Sequence, residues 1–292
     1  MDAEDLPQLA GVTHRFVDLP GLRMHVAEAG TGEPVVLLHG FPQHWWEWRK
    51  VIPALADHYR VIVPDLRGAG WTDAPPDGYT PAQLLADLVS LLDAEHLHRV
   101  RIIAHDFSAF LGYQLCFAQP ERVVQFVCLG PHPYLRFDPH MLVGMPKLWF
   151  QPVIATPVLG PALLRRERLP RHLLTSALAK PNAFSQRDIR IFIDRLHAPG
   201  HAHAGSALYR HFILPEIARF GSGSYRRQRL AVPTRAFFGA EEPGVRPGLL
   251  DVHGDVADDL AGELVEGAWH YIADERPDVV VDRALSFFAR AA

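Results

Sequence analysis

Short apolar runs separated by longer amphipathic stretches dominate this chain. The first fully apolar run, Val35 to Leu38, is typical of a strand that is buried on both faces of a parallel sheet. The same signature recurs, with helical stretches such as Thr80 to Glu95 between the runs, at residues 59–63, 100–103, 123–129 and 234–238. This alternation predicts an α/β fold with a mostly parallel, doubly wound sheet.

Two regions depart from the alternation. Residues Thr13 to Val26 alternate apolar and polar positions around the turn Leu19-Pro20-Gly21, which predicts two short antiparallel strands. Between Pro131 and about Arg229 the strand pattern is absent, and helix-like segments broken by prolines take its place. We therefore predict a core formed by residues 1–130 and 230–292, closed by a helix near the carboxyl end, with an inserted helical cap, or lid, at residues 131–229.

The composition of the chain agrees with this architecture and argues against several classes of protein. The chain has 292 residues, of which 48% are hydrophobic and 21% are charged, as suits one large globular domain with an insertion. A net charge of -4 offers no basic stripe for nucleic acid. The acidic residues Met1 to Asp5 lack the features of a secretory signal, and no apolar stretch approaches the roughly 20 residues of a membrane span. We expect a cytoplasmic protein that neither crosses a membrane nor binds nucleic acid, with Cys116 and Cys128 as small core residues.

The candidate nucleophile is Asp106, where an apolar strand passes directly into a helix. In the run from Val100 to Phe110, the small residues Ala104 and Ser108 stand two positions before and after it. Small flanks permit a sharp turn whose middle side chain projects out of the sheet. A carboxylate there attacks carbon by displacement and leaves an alkyl ester on the enzyme. The sequence therefore predicts an enzyme that opens epoxides or displaces halides.

Two other interpretations of this turn compete with the first. Ser108 is a nucleophile only in a shifted register, in which Asp106 and Phe110 become the flanks and the phenylalanine ring obstructs the turn. Asp106 could instead cap the helix expected from about Phe107 to Ala118, because aspartate accepts hydrogen bonds from the first free amides of a helix.

Further motifs resemble those of a known family. His39-Gly40-Phe41-Pro42-Gln43 follows the first buried strand, Pro64 to Gly70 follows the next, His105-Asp106-Phe107 forms the turn, and a histidine occurs late in the chain. This combination resembles the α/β-hydrolase-fold epoxide hydrolases from about Val12 to the carboxyl end. The resemblance implies the α/β-hydrolase fold, and it implies that the backbone amides of Phe41 and Phe107 form an oxyanion hole. His39 either buttresses the loop or contacts substrate.

The same resemblance implies a base and an acid in the last third of the chain. His270 follows a predicted strand and precedes the closing helix expected from about Pro277 to Arg290, the position at which the resemblance expects its histidine. It would activate the water that cleaves the ester. A carboxylate that orients it is expected three residues after Gly239, which selects Glu242. Glu241 is the competing candidate.

Opening an epoxide also requires a proton donor. The segment Ala207 to Arg210 resembles the part of the lid that carries one of two tyrosines in the family, which implies Tyr209 as the acid. The stretch Pro146 to Gln151, which resembles the site of the second tyrosine, contains none. A single tyrosine or a lid histidine could serve, the histidine candidates being His201, His203 and His211.

The expected function is therefore the hydrolysis of hydrophobic, aryl or alkyl, epoxides to diols without metal or cofactor. We expect His39, Pro42, Trp149 and Phe150 to line the pocket, whereas Trp45, Trp46 and Trp48 fit the core better. A haloalkane or haloacid dehalogenase is the nearest alternative, although Phe107 offers no side-chain hydrogen bond to a halide. A non-catalytic protein that binds hydrophobic ligands is a second alternative. The sequence leaves the oligomeric state open, including a homodimer.

Overall fold

One sheet of eight strands organises the molecule. The structure is a computed structural model that describes residues 6–130, 132–135, 139–251 and 256–290. The strands are β1 (Thr13–Leu19), β2 (Leu22–Ala29), β3 (Pro34–Leu38), β4 (Arg60–Pro64), β5 (Val100–His105), β6 (Val123–Leu129), β7 (Thr234–Gly239) and β8 (Leu260–Val265). Their order is β1-β2-β4-β3-β5-β6-β7-β8, with β2 antiparallel to both neighbours and the rest parallel. The predicted α/β fold with a mostly parallel sheet is confirmed.

Helices cover both faces of the sheet. Those connecting or following the strands of the core are α1 (Ile52–Ala56), α2 (Pro81–Ala94) and α3 (Phe107–Ala118). Helix α2 begins where the sequence predicts, because the Thr80 side chain accepts a hydrogen bond from the Gln83 amide and Pro81 occupies the first turn. It buries Leu84, Leu88 and Leu91, whose spacing of three to four residues places them on one face.

The apolar runs follow from burial on both faces. In β3, Val36 and Leu38 belong to one hydrophobic layer, whereas Val35 and Leu37 belong to the layer on the opposite face of the sheet. Because successive strand residues point to opposite faces, a strand between two helical layers must be apolar at every position. The core interpretation is also confirmed for Trp45, Trp46, Trp48, Cys116 and Cys128, which are all buried.

Helices alone connect β6 to β7 in the part of this segment that the structure describes. They are α4 (Phe150–Ile154), α5 (Leu159–Leu164), α6 (Arg168–Ser176), α7 (Gln186–Leu196), α8 (His201–Leu208) and α9 (Leu214–Gly221), with a π-helical turn at Tyr209–Ile213 between the last two. The core resumes with β7 and β8 and ends with α10 (Ile272–Glu275) and α11 (Pro277–Phe288).

Some residues on which predictions rest are not among those that the structure describes. Residues 1–5, on which the expectation of a cytoplasmic location rests, and Pro131, the first residue of the predicted lid, lie outside the described residues. No helix in the described ranges is long and apolar enough to cross a membrane.

Candidate active site

Asp106 occupies the sharp turn between β5 and α3. Its backbone has a φ of 55° and a ψ of -129°, a conformation that a residue with a side chain rarely adopts. The carboxylate makes no capping hydrogen bond to α3, which argues against the helix-cap interpretation. The turn therefore holds the side chain away from the helix.

Small residues and a buried hydroxyl support this turn. A Cβ atom at Gly40 would lie 2.8 Å from the Asp106 Cβ, so only glycine permits the two backbones to approach so closely. The Ser108 hydroxyl is fully buried and lies 2.9 Å from the Leu38 carbonyl and 2.7 Å from the His105 carbonyl. Ser108 thus contributes hydrogen bonds to the turn, as expected of a small structural residue.

The Asp106 carboxylate lies between the loop that carries Phe41 and the candidate base, His270. The Phe41 amide donates a hydrogen bond of 3.0 Å to Asp106 Oδ2. On the other side, His270 Nε2 lies 3.9 Å from Asp106 Oδ1, which is longer than a hydrogen bond. The Phe107 amide opens α3, at the helix end whose free amides and dipole favour an anion. These contacts bring together four residues predicted from the sequence.

Burial keeps the candidate base neutral. Desolvation lowers the pKa of His270 to about 4, although the neighbouring Asp106 carboxylate opposes this shift. At neutral pH the imidazole is therefore uncharged and able to accept a proton from water.

A buried pair that no sequence motif indicated, Glu47 and His105, lies next to Asp106. His105 Nδ1 lies 2.7 Å from a Glu47 carboxylate oxygen, and His105 Nε2 lies 2.8 Å from the His270 carbonyl. The other Glu47 oxygen accepts a hydrogen bond of 2.8 Å from the Gly40 amide. Glu47 therefore connects the loop that carries Phe41, the residue before Asp106 and the loop that carries His270.

The Glu47 carboxylate also controls the charge of His105. Burial disfavours the imidazolium, but the attraction of Glu47 outweighs it and raises the pKa of His105 to about 9. His105 is thus a cation next in sequence to Asp106, with an N–H group directed at the His270 carbonyl. No motif in the sequence marks Glu47, because the fold brings it to His105 from a distant position.

Glu242 lines the same cavity as His270 and lies on the turn that follows β7. A Cβ atom at Gly239 would lie 2.0 Å from the Trp269 carbonyl, so glycine permits this turn to approach the loop carrying His270. The Glu241 amide donates a hydrogen bond of 3.0 Å to the Ala268 carbonyl. Burial and the nearby Asp106 raise the pKa of Glu242 to about 7, whereas the Glu241 side chain is exposed. In the described part of the chain, no hydrogen bond joins Glu242 to His270.

Tyr209 begins the π-helical turn between α8 and α9. Such turns are rare and frequently occur at functional sites. Its ring is buried against Phe41, with ring centroids 5.1 Å apart, and burial raises the pKa of its hydroxyl well above the ordinary value. The hydroxyl therefore keeps its proton at neutral pH.

A cavity of about 540 Å³ brings the predicted catalytic side chains together. Asp106, Glu242, His270 and Tyr209 line it, as do three aromatic residues, Phe41, Trp149 and Phe150. Its size and apolar walls suit a hydrophobic small molecule.

Two predicted pocket residues lie elsewhere. His39 and Pro42 line a separate cavity of about 30 Å³. His39 is buried, with Nδ1 2.9 Å from the Gly40 carbonyl and Nε2 accepting a hydrogen bond from the Leu66 amide. These backbone contacts favour the buttressing role for His39.

The three lid histidines considered as proton donors are not among the residues that line the main cavity. His201 Nε2 lies 3.0 Å from the Gly70 carbonyl, and His203 Nε2 lies 3.2 Å from the Pro76 carbonyl. A histidine that the sequence analysis did not consider, His172 on α6, does line the cavity, and its ring centroid lies 6.0 Å from that of Trp149. His172 and Tyr209 thus line the same cavity as Asp106, come from the segment between β6 and β7, and carry a dissociable proton.

Comparisons with known proteins agree with this architecture. A protein-family model described as alpha/beta hydrolase fold matches residues 33–217. The chain is 31% identical over 288 residues to the soluble epoxide hydrolase of Corynebacterium sp. (strain C12), covering 95% of this chain and 98% of that protein. The solved structure of the epoxide hydrolase CorEH without ligand matches with a TM-score of 0.83 and 29% identity, over 96% of this chain and all of that one. The crystal structure of an epoxide hydrolase from Vigna radiata matches with a TM-score of 0.79 and 26% identity, over 96% of this chain and 99% of that one.

Proposed function

This chain belongs to the α/β-hydrolase fold family and, within it, to the epoxide hydrolases, and we propose that it converts hydrophobic epoxides to vicinal diols through an ester on Asp106. The observation that carries the proposal is the position of the Asp106 carboxylate, between the Phe41 amide and His270 in a largely apolar cavity. The named relatives that hydrolyse epoxides support the substrate class.

In the first step, an Asp106 oxygen attacks one carbon of the epoxide ring. The carbon–oxygen bond of the ring breaks, and the departing oxygen takes the proton of Tyr209, whose high pKa keeps that proton available. His172, on the same cavity, is a second group that could donate to this oxygen. The product of the step is an alkyl ester of Asp106.

In the second step, water attacks the carbonyl carbon of that ester. His270 takes the proton of the water, and the amides of Phe41 and Phe107 stabilise the oxyanion that forms. The carbon–oxygen bond of the ester then breaks, the departing alkoxide takes the remaining proton of the attacking water, and the diol leaves while Asp106 regains its carboxylate. His270 releases its proton and the Tyr209 oxygen regains one through solvent, which restores the site. Glu242 orients His270 and stabilises its charged form, a role that requires Glu242 to be ionised.

The helices of residues 139–227 act as a lid domain over this cavity. Trp149 and Phe150 from the start of α4 and Tyr209 from the π-helical turn form its lid side, whereas Asp106 and His270 belong to loops of the core. Aryl and alkyl epoxides fit these aromatic walls. No cofactor takes part in either step.

Turnover of a small panel tests the function. Wild-type protein is incubated with styrene oxide and, separately, with 1-chlorobutane, and diol and halide are quantified, with the Asp106→Ala variant as control. Diol formation that requires Asp106 supports the proposal. Halide release with no diol would assign the chain to the dehalogenases, and ligand binding without turnover of either compound would favour a binding protein.

A further inference from the structure

Exposed apolar side chains are concentrated on the lid. In the described ranges, the large hydrophobic residues with substantial exposure all lie between residues 142 and 217: Leu142, Val143, Leu148, Trp149, Val158, Leu159 and Ile217. Val158 is 83% exposed, and Trp149 and Leu159 are each 51% exposed. Scattered apolar residues on a surface are ordinary, but a cluster confined to one region marks an interaction surface.

Positive charge is concentrated in the same region. Residues 131–229 contain 15 Lys and Arg against 5 Asp and Glu, whereas the rest of the chain contains 14 against 28. The net charge of -4 is therefore the sum of a positively charged lid and a more strongly negative core. A separation of this size produces a field that orients the molecule near a charged surface.

The two features meet around α5 and α6. Arg165, Arg166 and Arg168 are exposed at the junction of these helices, and no partner of their side chains is described in the ranges that the structure covers. The acid in the same stretch, Glu167, is already paired with Arg171. These arginines therefore keep their charge available for an external partner.

The junction lies close to residues that line the main cavity. Arg168 and His172 are four residues apart on α6 and share a face of that helix, and the ring of His172 is 6.0 Å from that of Trp149. Trp149 is both exposed and part of the cavity lining. At the other end of α5, about 9 Å away for a six-residue helix, stand Val158 and Leu159.

We propose that this face of the lid, made of Trp149, Val158, Leu159, Arg165, Arg166 and Arg168, docks on an anionic lipid surface. Arginines attract acidic headgroups, and an aromatic ring with aliphatic neighbours inserts at the boundary of headgroups and acyl chains. Docking of this face places Trp149, which is exposed and lines the cavity, against the lipid, so that hydrophobic epoxides enter the cavity from the lipid phase. The docking is independent of the catalytic chemistry, whereas this route of delivery rests on the proposed function.

Lipid fits this face better than two other partners. Nucleic acid would use the arginines but would leave Val158 and Leu159 exposed to water. A second copy of this chain could place its acidic core against the basic lid, but nothing in that attraction requires exposed apolar side chains at the same site. An anionic lipid surface uses the charge and the apolar residues together.

Flotation with vesicles tests the proposal. The full-length protein is mixed with vesicles of phosphatidylcholine alone or of equimolar phosphatidylcholine and phosphatidylglycerol, and the bound fraction is measured against lipid concentration and salt. We expect binding to the anionic vesicles that weakens with salt, and little binding to phosphatidylcholine alone. Arg165→Glu/Arg166→Glu should weaken anionic binding by roughly thirtyfold or more, and Val158→Ser/Leu159→Ser by roughly tenfold.

Matched controls separate this face from general electrostatics. Arg99→Glu/Arg290→Glu makes the same change of charge at exposed positions outside residues 131–229 and should leave binding nearly unchanged. All three variants should turn over a water-soluble epoxide at the wild-type rate, since none of the altered residues lines the cavity. If the docking proposal is wrong, vesicle binding will not change as expected while epoxide turnover is unaffected. If the proposed function is wrong, epoxide turnover will be absent whatever the vesicle binding.

Several outcomes would overturn the proposal. Absence of vesicle binding, equal binding to neutral and anionic vesicles, or equal losses for the lid and control arginine pairs would each do so. Tighter binding to an RNA or DNA oligonucleotide than to anionic vesicles would assign the face to nucleic acid. Self-association that disappears in the Arg165→Glu/Arg166→Glu variant, without vesicle binding, would assign it to a second copy.

Discussion

At the scale of single residues, the site depends on carboxylates whose surroundings differ. Asp106 lies on a turn that only a few residue types tolerate, with an amide donor on one side and a histidine on the other. Desolvation and the nearby negative charge of Asp106 raise the pKa of Glu242, and Glu47 is held against a histidine cation. In the proposed mechanism these three carboxylates have different roles, which are nucleophilic attack for Asp106, orientation of His270 for Glu242 and structural support for Glu47.

Replacing Glu242 by glutamine should change stability and activity in opposite directions. Because the folded-state pKa is raised to about 7, the stability that the protonated side chain contributes is complete below the unfolded value near 4.5 and is lost as pH rises through about 7. Glu242→Gln removes this loss, so the variant should be more stable than wild type at pH 8 by about 2 kcal/mol and equal to it near pH 4. Urea unfolding at both pH values measures the difference.

The same variant tests the catalytic role of Glu242. In the wild type, hydrolysis of the ester should slow as pH falls through a midpoint somewhat below 7, because a protonated Glu242 cannot stabilise the charged His270 and because esterification removes the Asp106 charge that helps to raise the pKa of Glu242. Glu242→Gln should be slower at pH 8 but nearly independent of pH down to about 5, and Glu241→Gln, at an exposed position, should resemble wild type. If the two variants exchanged these behaviours, Glu241 would be the acid.

Replacing Glu47 by glutamine should lower kcat much more than it changes KM. The amide keeps an acceptor for the Gly40 N–H but no longer holds His105 as a cation, and Glu47 is not among the cavity residues that contact substrate. We expect kcat to fall by about tenfold or more, since the loops of Phe41 and His270 both depend on this pair. The rate of ester formation and the rate of ester hydrolysis should both fall. Steady-state and single-turnover kinetics measure the effect. Wild-type kcat in Glu47→Gln would show that the pair has no positioning role.

At the scale of elements, the sequence predicted the parts whose pattern is local. The strand at residues 123–129 and the helix at 107–118 have the predicted bounds, because an apolar run and a small-residue turn define them without distant contacts. For strand β8, Leu260–Val265, the sequence indicates a strand but not where it begins and ends. The strand lies at the edge of the sheet, so several of its residues face solvent. The short helices of the lid, interrupted by prolines, also lack a periodic pattern long enough to delimit each one.

The residues of the candidate site that could be predicted are likewise those that a local sequence pattern marks. Asp106, His270 and Glu242 stand at strand ends, where sequence position indicates function, and they were predicted. Glu47 and His172 come from segments that only the tertiary fold brings to the site, so no local pattern marked them.

Among the lid elements, the π-helical turn should supply the proton for ring opening. Tyr209→Phe removes the hydroxyl while keeping the ring that packs against Phe41, so it should slow formation of the ester by about a hundredfold and leave its hydrolysis unchanged. His172→Phe is the matched change at the other cavity position. Rapid-mixing kinetics separate the two steps. A larger loss in His172→Phe than in Tyr209→Phe would transfer the role of donor to His172.

At the scale of the whole molecule, the proposed function assigns the chemistry to the core and the contacts with substrate to the helices between β6 and β7. The sheet carries Asp106, Glu242 and His270 on its strand-end loops, whereas the helices between β6 and β7 supply the aromatic walls, Tyr209 and the basic outer face. The expected cytoplasmic location stays a prediction, as does the oligomeric state. Lipid docking changes neither prediction, because it requires an anionic surface and no membrane span.

The central claim is that Asp106 forms a covalent alkyl ester, and trapping that ester tests it most directly. The His270→Gln variant, which lacks the base, is mixed with an aryl epoxide, and the intact mass of the protein and the modified peptide are determined. We predict an increase equal to the full mass of the epoxide, located on Asp106 and absent from His270→Gln/Asp106→Ala. An unmodified protein, or an adduct on Ser108, from an epoxide that the wild type converts to diol would contradict the account.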